Sequence, residues 1–346
     1  METKRILIVQ TAFIGDVILI TPLIKAVRSL YPKAVIDAMV VPVCAQLLQN
    51  NPHLNSVISY PKRKNALQTM LQMIKLLRQN KYDLAISPHS SGRTHLLLSL
   101  SHIPVRIGFD RSLFPWLLTA KIPHPGGMHK IEKNLKLLSL LSPQQFEMQT
   151  ELFPSEQDFA RAKQLLGQLR SHSIIAIAPG SIWETKCWHL DYYKQLASQL
   201  VNNGLAIVLI GGEGDKDKCQ QIEQFILTHT PQAAVLNLAG KTALLQSAAV
   251  ISQSKLMICN DSGALHIANA MQTRVFAFFG PTVQSIGYYP YRAGDYVFET
   301  DLNCRPCGSH GHHKCPLKHH NCMKQISRDA VLQAVLTAIQ PEALEQ

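Results

Sequence analysis

The first residues able to do chemistry form a turn near the N-terminus, Phe13-Ile14-Gly15-Asp16, which follows the apolar run at residues 6–9. The turn has a single glycine, so the Gly-x-Gly-x-x-Gly fingerprint of dinucleotide-binding proteins is absent. A carboxylate at the start of a helix can cap backbone N–H groups, and it can also act as a general base. The residues alone leave both roles open for Asp16.

A second candidate loop reads Ala178-Pro179-Gly180-Ser181 and is followed by Lys186. A glycine turn of this kind can hold phosphate oxygens through its backbone N–H groups, with Ser181 and the charge of Lys186 adding to the grip. The spacing is not that of a Walker motif, which argues against ATP hydrolysis. The alternative is a solvated lysine on a loop.

A third loop reads Asn260-Asp261-Ser262-Gly263-Ala264-Leu265-His266 and opens a predicted helix. The free N–H groups and the dipole of a helix N-terminus attract anions, so a pyrophosphate could lie on residues 262–264 with Asp261 turned to sugar hydroxyls. The alternative is an ordinary capped helix with His266 packed inside. Gly280-Pro281-Thr282 adds a turn after the next strand.

These loops must be positioned by regular elements, and both halves of the chain repeat a short apolar run, a turn and an amphipathic helical pattern. The apolar runs do not alternate with polar residues, which is typical of parallel strands buried on both faces. The predicted strands are residues 5–10, 34–41, 56–60, 82–87, 105–109, 174–178, 206–210, 235–238, 256–259 and 275–279. The predicted helices include residues 66–79, 190–203, 218–228, 243–253, 264–271 and 329–339.

This rhythm predicts an α/β protein of two Rossmann-like, doubly wound parallel-sheet domains, and 346 residues suit two domains of ordinary size. A polar stretch with prolines at residues 142–155 predicts the linker. We therefore expect an N-terminal domain at residues 1–150, a C-terminal domain at 151–325, and a last helix at 326–346 that packs back on the N-terminal domain. Ligands of such sheets bind beyond the carboxyl ends of the strands, so a central cleft between these edges is expected.

Charge is unevenly distributed between the halves. Residues 1–152 contain 18 Lys and Arg against 8 Asp and Glu, whereas residues 153–346 contain 16 against 15. A basic surface attracts nucleic acid, an acidic membrane or an acidic substrate. The basic half has few aromatic residues and no RNA-binding signature, which argues against nucleic acid. The candidate anion-binding residues on its loops are Lys62, Arg63, Lys64 and Arg93, with Arg106 and Arg111 behind them.

The eight cysteines fall into two groups. Four are scattered, as expected in a reducing compartment. The other four are clustered among histidines, and their spacing allows a structural zinc site, reduced thiols or a disulfide, although it is not that of a zinc ribbon. The clustered residues are Cys304, Cys307, Cys315 and Cys322. No apolar stretch approaches the ~18 residues of a membrane span, and no leader cleavage site is present, so a soluble cytoplasmic protein is expected.

Taken together, the motifs resemble glycosyltransferase family 9, the ADP-heptose:lipopolysaccharide heptosyltransferases. The cysteine-rich tail is most similar to the heptosyltransferase II branch. The matching segments are Phe13-Ile14-Gly15-Asp16-Val17, Pro179-Gly180-Ser181 with Lys186 and Trp188, residues 260–266, Phe279-Gly280-Pro281-Thr282, Arg106-Ile107-Gly108-Phe109, and His129-x-x-Glu132-x-Asn134.

The resemblance implies a GT-B fold with the acceptor on the N-terminal domain and ADP-heptose on the C-terminal domain. It implies inversion at the anomeric carbon without a metal or other cofactor. Asp16 matches the catalytic base, Lys186 the lysine that stabilises the departing diphosphate, and Asp261 the carboxylate near the donor sugar. Ser181 matches a hydroxyl that contacts phosphate. Ile182 stands where a second hydroxyl residue is common, which is a departure from the pattern.

The resemblance also names the partners: ADP-heptose, and a lipid-linked lipopolysaccharide core acceptor reached at the inner face of the cytoplasmic membrane. The acidic core would suit the basic half. The predicted donor-binding residues are Gly180, Ser181, Asp261, Ser262, Gly263, Ala264, His266, Gly280 and Thr282. The predicted acceptor-binding residues are Gly15, Lys62, Arg63, Lys64, Arg93 and Arg106.

Three other functions remain open at this point. The first is another GT-B enzyme with a different donor sugar. The second is a nucleotide-sugar 2-epimerase, which would act on the donor alone and have little use for the basic half. The third is a non-enzymatic binder of anionic polymers.

Overall fold

A computed structural model describes residues 5–62 and 65–340 of the chain. The chain divides into two compact units, Met1–Phe153 and Pro154–Gln346. The division falls inside the proline-flanked stretch at residues 142–155 that the sequence indicated as the linker.

The first unit contains one six-stranded sheet flanked by helices. Its strands are β1 Arg5–Gln10, β2 Val35–Val40, β3 Ser56–Ser59, β4 Leu84–Ser87, β5 Val105–Phe109 and β6 Ala120–Ile122. Its helices are α1 Ile14–Ile18, α2 Thr21–Leu30, α3 Pro42–Ala45, α4 Ala66–Asn80, α5 Gly92–Leu100 and α6 Lys130–Lys136. All neighbouring strands are parallel, in the order β3-β2-β1-β4-β5-β6.

The second unit repeats the plan with the strand order β12-β11-β10-β7-β8-β9. Its strands are β7 Ile174–Ala178, β8 Ala206–Leu209, β9 Val235–Asn237, β10 Leu256–Asn260, β11 Arg274–Phe279 and β12 Tyr296–Glu299. Its helices are α7 Glu156–Leu166, α8 Leu190–Asn202, α9 Lys216–His229, α10 Leu244–Ile251, α11 Gly263–Ala270, α12 Asn321–Lys324 and α13 Arg328–Ile339.

The central strands explain why these sequences form parallel sheets. In β7 and β10 every residue is buried, as expected where helices cover both faces of a sheet. In each unit the winding reverses beside the first strand: β1 lies between β2 and β4, and β7 lies between β8 and β10. The loops after these strands therefore lie at the topological switch point, where open α/β sheets bind ligands. The prediction of two doubly wound α/β domains is confirmed.

The C-terminal helix α13 belongs to the second unit, which corrects the expectation that it packs on the N-terminal domain. Val331 and Val335 are fully buried in the hydrophobic core of the second unit, and α13 packs against α8. Arg274 Nη1 also donates a hydrogen bond of 2.9 Å to the carbonyl of Ala338. The apolar spacing predicted a helix, but spacing does not identify the surface that buries its stripe.

None of the helices formed by residues 5–62 and 65–340 is both long enough and apolar enough to span a bilayer.

Candidate active site

In the second unit, two predicted site residues, Lys186 and Thr282, contact the carboxylate of a third, Asp261. Lys186 Nζ lies 2.6 Å from Asp261 Oδ2, and Thr282 Oγ1 donates to the same oxygen at 2.6 Å. The side chains of Lys186 and Asp261 are only 12% and 8% exposed. Because water screens such a site weakly, its charges act strongly on any group placed beside them. The loops after β7, β10 and β11 thus converge, as the strand order requires.

Asn260 fixes the loops that carry this cluster. The fully buried Asn260 accepts hydrogen bonds at Oδ1 from Trp188 N at 2.9 Å and from the Tyr193 hydroxyl at 3.0 Å. Its Nδ2 donates to the carbonyls of Pro179 at 2.9 Å and Gly180 at 3.2 Å. Every donor and acceptor of this amide is used to join the end of β10 to the loop after β7. The sequence showed Asn260 only as part of a motif.

The N-terminus of α11 lies immediately after Asp261. Ser262 occupies the N-cap position with an extended backbone, and its side chain makes no capping hydrogen bond. The first N–H groups of α11, those of Gly263 and Ala264, are thus not engaged by this side chain and can be offered to an anion. By contrast, His266 is only 4% exposed and lies edge-on to the ring of Tyr288. Its predicted contact with the donor stays a prediction.

Gly180 is required by a close approach that the sequence did not reveal. A Cβ at Gly180 would lie 1.8 Å from Oδ1 of Asp215, and one at Gly211 would lie 2.6 Å from the Cβ of Asp215. Asp215 Oδ2 in turn accepts a hydrogen bond from Gly212 N at 2.9 Å. The loop after β8 is therefore packed directly against the predicted phosphate-binding turn.

Arg305 holds the turn that presents Thr282. Its guanidinium donates to the carbonyls of Gly280, Phe279 and Thr282, the last at 2.9 Å, and it pairs with Glu299 at 2.7 Å. The Arg305 side chain is only 6% exposed. Sequence reasoning missed this residue, although an arginine between two clustered cysteines was a visible signal.

Gly280 itself serves packing. A Cβ there would approach Cε and Cγ of Met323 to 2.9 Å. The residue predicted to bind the donor thus lies where α12 crosses close to the backbone.

The histidine-rich segment after residue 304 supports the loop that carries Lys186. Thr185 N donates to the carbonyl of His312 at 3.0 Å, and His312 N donates to Thr185 Oγ1 at 2.7 Å. His320 Nε2 donates to the carbonyl of Thr185 at 2.8 Å. A Cβ at Gly311 would lie 2.9 Å from Cγ of Lys186. This segment therefore sets the position of the lysine.

The four clustered cysteines are free thiols in the structure, like the other four. Within residues 5–62 and 65–340, no three His, Cys, Asp or Glu side chains are grouped so as to hold a metal ion. Burial raises the pKa of the Cys322 thiol to about 11, and the neighbouring cysteines add to the shift. The three alternatives for Cys304, Cys307, Cys315 and Cys322, reduced thiols, a disulfide or a structural zinc site, stay predictions.

In the first unit, Asp16 lies in the first turn of α1, next to Gly15. The nearby Lys130 opens α6 and is only 9% exposed. Burial lowers the pKa of Lys130, and the negative charge of Asp16 acts in the opposite direction. The two groups are thus within electrostatic reach of each other. Sequence reasoning quoted the neighbouring His129 and missed Lys130.

His89, which follows β4, lies close to the loop after β1. Its Nδ1 is 3.1 Å from the hydroxyl of Thr11, and Lys62 Nζ donates to the carbonyl of Thr11. Burial, assisted by the positive charge of Lys62, lowers the pKa of His89 to about 4, although Asp16 opposes the shift. His89 is therefore neutral at pH 7.

The predicted acceptor-binding arginines are used differently. Arg93 donates to the carbonyls of Lys62 at 2.7 Å and Ala66 at 2.6 Å, so it joins the loop after β3 to the start of α5. Arg106 is the second residue of β5, far from the carboxyl end of that strand, and its Nε donates to the carbonyl of Leu117 at 2.7 Å. These contacts indicate a structural role for Arg106 and correct its predicted role in binding the acceptor. Arg63 and Lys64 lie outside the described residues.

The fold and the site together define a class of protein. The chain superposes on a glycosyltransferase of family 9 from Veillonella parvula with a TM-score of 0.83 at 22% identity, covering 98% of both chains. It superposes on the ADP-heptose lipopolysaccharide heptosyltransferase II of E. coli with a TM-score of 0.80 at 24% identity, covering 96% of this chain and 98% of that one. The protein has the GT-B fold of glycosyltransferases.

The sequence comparison identifies the family. The profile of glycosyltransferase family 9 (heptosyltransferase) matches residues 70–318. The lipopolysaccharide heptosyltransferase 2 of Salmonella typhimurium is 28% identical over 298 residues, which is 80% of this chain and 83% of that protein. The chain belongs to glycosyltransferase family 9, and its predicted nature as a glycosyltransferase of the heptosyltransferase type is confirmed.

Proposed function

We propose that the protein transfers heptose from ADP-heptose to the inner core of lipopolysaccharide, with inversion at the anomeric carbon. The names of its Salmonella and E. coli relatives support both substrates. The observation that carries the proposal is the buried cluster of Lys186, Asp261 and Thr282 beside the N-terminus of α11. It is suited to a ligand that has both phosphates and sugar hydroxyls.

In this proposal the donor diphosphate lies against Lys186 and the N–H groups of Gly263 and Ala264. When the bond between the anomeric carbon and the phosphate oxygen breaks, negative charge grows on the ADP that leaves. A lysine and a helix N-terminus that are already fixed in place stabilise this charge without reorganisation. The proposed mechanism requires no divalent cation. Ser181, in the turn after β7, adds a hydroxyl that can contact the diphosphate.

Asp16 is the proposed general base. The acceptor hydroxyl attacks the anomeric carbon on the face opposite ADP, forms the new glycosidic bond and gives its proton to the Asp16 carboxylate. The buried ammonium of Lys130 lies within electrostatic reach and compensates the carboxylate's charge. If Asp16 only capped the helix, it would take no part in the reaction. The effect of an Asp16 substitution on kcat therefore separates the capping role from that of a general base.

The proposed acceptor is lipid-linked and acidic, and the protein is proposed to meet it at the inner face of the cytoplasmic membrane. The excess of 18 basic over 8 acidic residues in positions 1–152 supports this partner. Among the described residues, Lys62 is the predicted acceptor-binding lysine of that edge; its Nζ donates to the carbonyl of Thr11, and its own carbonyl accepts a hydrogen bond from Arg93.

The test is release of ADP from ADP-heptose in the presence of a core acceptor. The Asp16→Asn variant keeps the shape of the side chain but cannot take the proton, so kcat should fall by about 10²- to 10⁴-fold. Its affinity for ADP, measured by calorimetry, should stay unchanged. Asp110→Asn, a change of another loop carboxylate in the same unit, serves as the matched control.

Three results would contradict the proposal. Wild-type turnover by Asp16→Asn would remove Asp16 from the reaction. Conversion of the donor alone to an epimer would identify an epimerase. Full activity that disappears with EDTA and returns with Mg²⁺ would contradict the metal-independent mechanism.

A further inference from the structure

Large apolar side chains are unusually exposed on the first unit. Among its described residues, five such side chains have more than half of their surface in solvent, from 54% for Val43 to 77% for Leu113. Each belongs to a segment that follows the carboxyl end of β2, β3 or β5. Because parallel strands end at one edge of a sheet, these side chains share the edge on which Asp16 lies. The five residues are Val43, Leu67, Leu71, Leu113 and Trp116.

Helix α4 presents apolar residues on the side that faces solvent. Leu67, Leu71 and Lys75 follow one another at four-residue steps and are all exposed. The opposite stripe, through Met73 and Leu77, is buried in the core. The helix therefore has its ordinary core-facing stripe and, in addition, two leucines on the outside, next to a lysine. Core packing does not account for these leucines.

The start of α5 brings this part of α4 close to the segment with Leu113. Arg93 Nη2 donates to the carbonyl of Ala66 at 2.6 Å, immediately before Leu67. A Cβ at Gly92 would lie 2.8 Å from the Cβ of Leu113. Both apolar segments thus flank the first turn of one helix. We call their four exposed side chains the apolar rim: Leu67, Leu71, Leu113 and Trp116.

The composition of the apolar rim and its surroundings indicates the chemistry of its partner. Trp116, 68% exposed, packs its ring edge-on to Phe114 at 5.5 Å, so the indole is presented outward. Tryptophan is enriched where membranes meet water. Arg111 and Lys75 lie beside the rim in the chain, within a unit that has a large excess of basic residues. Apolar side chains among cations match a partner with an apolar interior and an anionic surface.

We infer that the apolar rim docks the first unit onto the surface of an anionic phospholipid bilayer. The leucines and Trp116 enter the boundary between headgroups and acyl chains, while Arg111 and Lys75 remain at the level of the phosphates. The inference rests on the proposed function in one respect: the same edge carries Asp16, so docking would bring the proposed base to the place where a lipid-linked acceptor resides. The binding itself does not depend on turnover.

The experiment is sedimentation of the full-length protein with vesicles of phosphatidylethanolamine and phosphatidylglycerol, and with vesicles of phosphatidylcholine alone. The wild type should bind the anionic vesicles, more weakly as salt is raised. The double variant Leu113→Ser/Trp116→Ser should bind them at least about tenfold more weakly, because lost burial of two large apolar side chains weakens interfacial binding strongly. Both residues are exposed, so folding, followed by circular dichroism, should be unaffected.

A matched control separates the apolar rim from exposed leucines in general. Leu71 and Leu317 are each 59% exposed, and Leu317 lies in the second unit. Leu71→Ser should weaken vesicle binding, whereas Leu317→Ser should leave it unchanged. Turnover of the double variant on a water-soluble core oligosaccharide without acyl chains should equal that of the wild type. If no acceptor is turned over but the vesicle results hold, the proposed function fails and the docking surface stands.

Three outcomes would overturn the inference. The double variant could bind anionic vesicles as tightly as the wild type. Light scattering could show a wild-type dimer that the double variant loses, which would assign the rim to a second copy of the chain. Binding could require the lipid-linked acceptor in the vesicle, which would assign the rim to acyl chains of the substrate.

Discussion

The carboxyl edges of the two sheets are built in opposite ways. In the second unit, Lys186 Nζ and Thr282 Oγ1 each lie 2.6 Å from Asp261 Oδ2, and all three side chains are almost wholly buried. In the first unit, the same edge exposes leucines and a tryptophan, with cations near them in the chain. A site whose groups are already paired suits a small charged ligand of fixed shape. An edge with apolar surface suits a large amphipathic partner.

The loops at the two edges also differ in how many hydrogen bonds hold them in place. Asn260, Arg305 and the backbone of His312 each hold a loop of the second unit through several hydrogen bonds. Electrostatic catalysis depends on such fixed groups, because they cost no reorganisation when charge develops. In the first unit the loops at the edge are joined by fewer bonds per residue: Arg93 donates to two backbone carbonyls, and Lys62 Nζ donates to the carbonyl of Thr11.

The largest expected effect is a loss of kcat on removal of the Lys186 ammonium, which pairs with Asp261. Lys186→Met should lower kcat by about 10³-fold, because the charge on departing ADP loses its main counter-charge. Steady-state kinetics with ADP-heptose and acceptor measure this. Lys194→Met, which breaks an i,i+3 pair with Asp191 on α8, is the control. A loss of less than about threefold would show that the buried pair with Asp261 is only structural.

A smaller effect should follow from moving Lys186 without removing it. A side chain at Gly311 would press on Cγ of Lys186 and on Cβ of Trp183. Gly311→Val should therefore lower kcat by up to about 10²-fold, as displacements near 1 Å can do. The clash should also lower the thermal midpoint more than Gly126→Val does, where a Cβ meets no atom within 4 Å, so the kinetics of both variants are measured well below either midpoint. Normal kinetics in Gly311→Val would mean that the histidine-rich segment does not position the lysine.

The smallest effect concerns stability of the first unit in acid. The pKa of His89 in the folded protein is about 4, below its usual 6.5, so the folded state binds fewer protons than the unfolded chain. The free energy of unfolding should therefore fall as pH drops from about 6.5 towards 4, by up to about 3 kcal/mol from this residue. Urea unfolding at a series of pH values should show a shallower decline in His89→Gln. An identical decline in both proteins would contradict the burial of a neutral imidazole.

The sequence predicted most of the fold because parallel strands leave a local signal. The bounds of β1 and β7 agree with the apolar runs to the residue. Strands β6 and β12 were missed because they lie at sheet edges and have only three and four residues, too few to show a pattern. The prediction of which domain α13 packs against was wrong for a related reason, since the apolar stripe of a helix does not identify the surface that buries it.

The convergence of the loops that carry Lys186, Asp261 and Thr282 could be predicted, because motifs that follow parallel strands must meet at the edge of a sheet. The supports of these loops were not predictable in the same way. The bond between Thr185 and His312 joins residues 127 positions apart, and the contact of Gly180 with Asp215 depends on two loops from neighbouring strands. Such contacts follow from the packed structure rather than from local spacing. Arg106 shows the converse, because its charge suggested ligand binding whereas its hydrogen bonds go to backbone carbonyls.

The most direct test of the central claim is a crystal structure of the protein with ADP bound. We expect the diphosphate to lie within hydrogen-bonding distance of Lys186 Nζ and of the N–H groups of Gly263 and Ala264. A diphosphate bound elsewhere, with the pair of Lys186 and Asp261 unaltered and distant from it, would contradict the account.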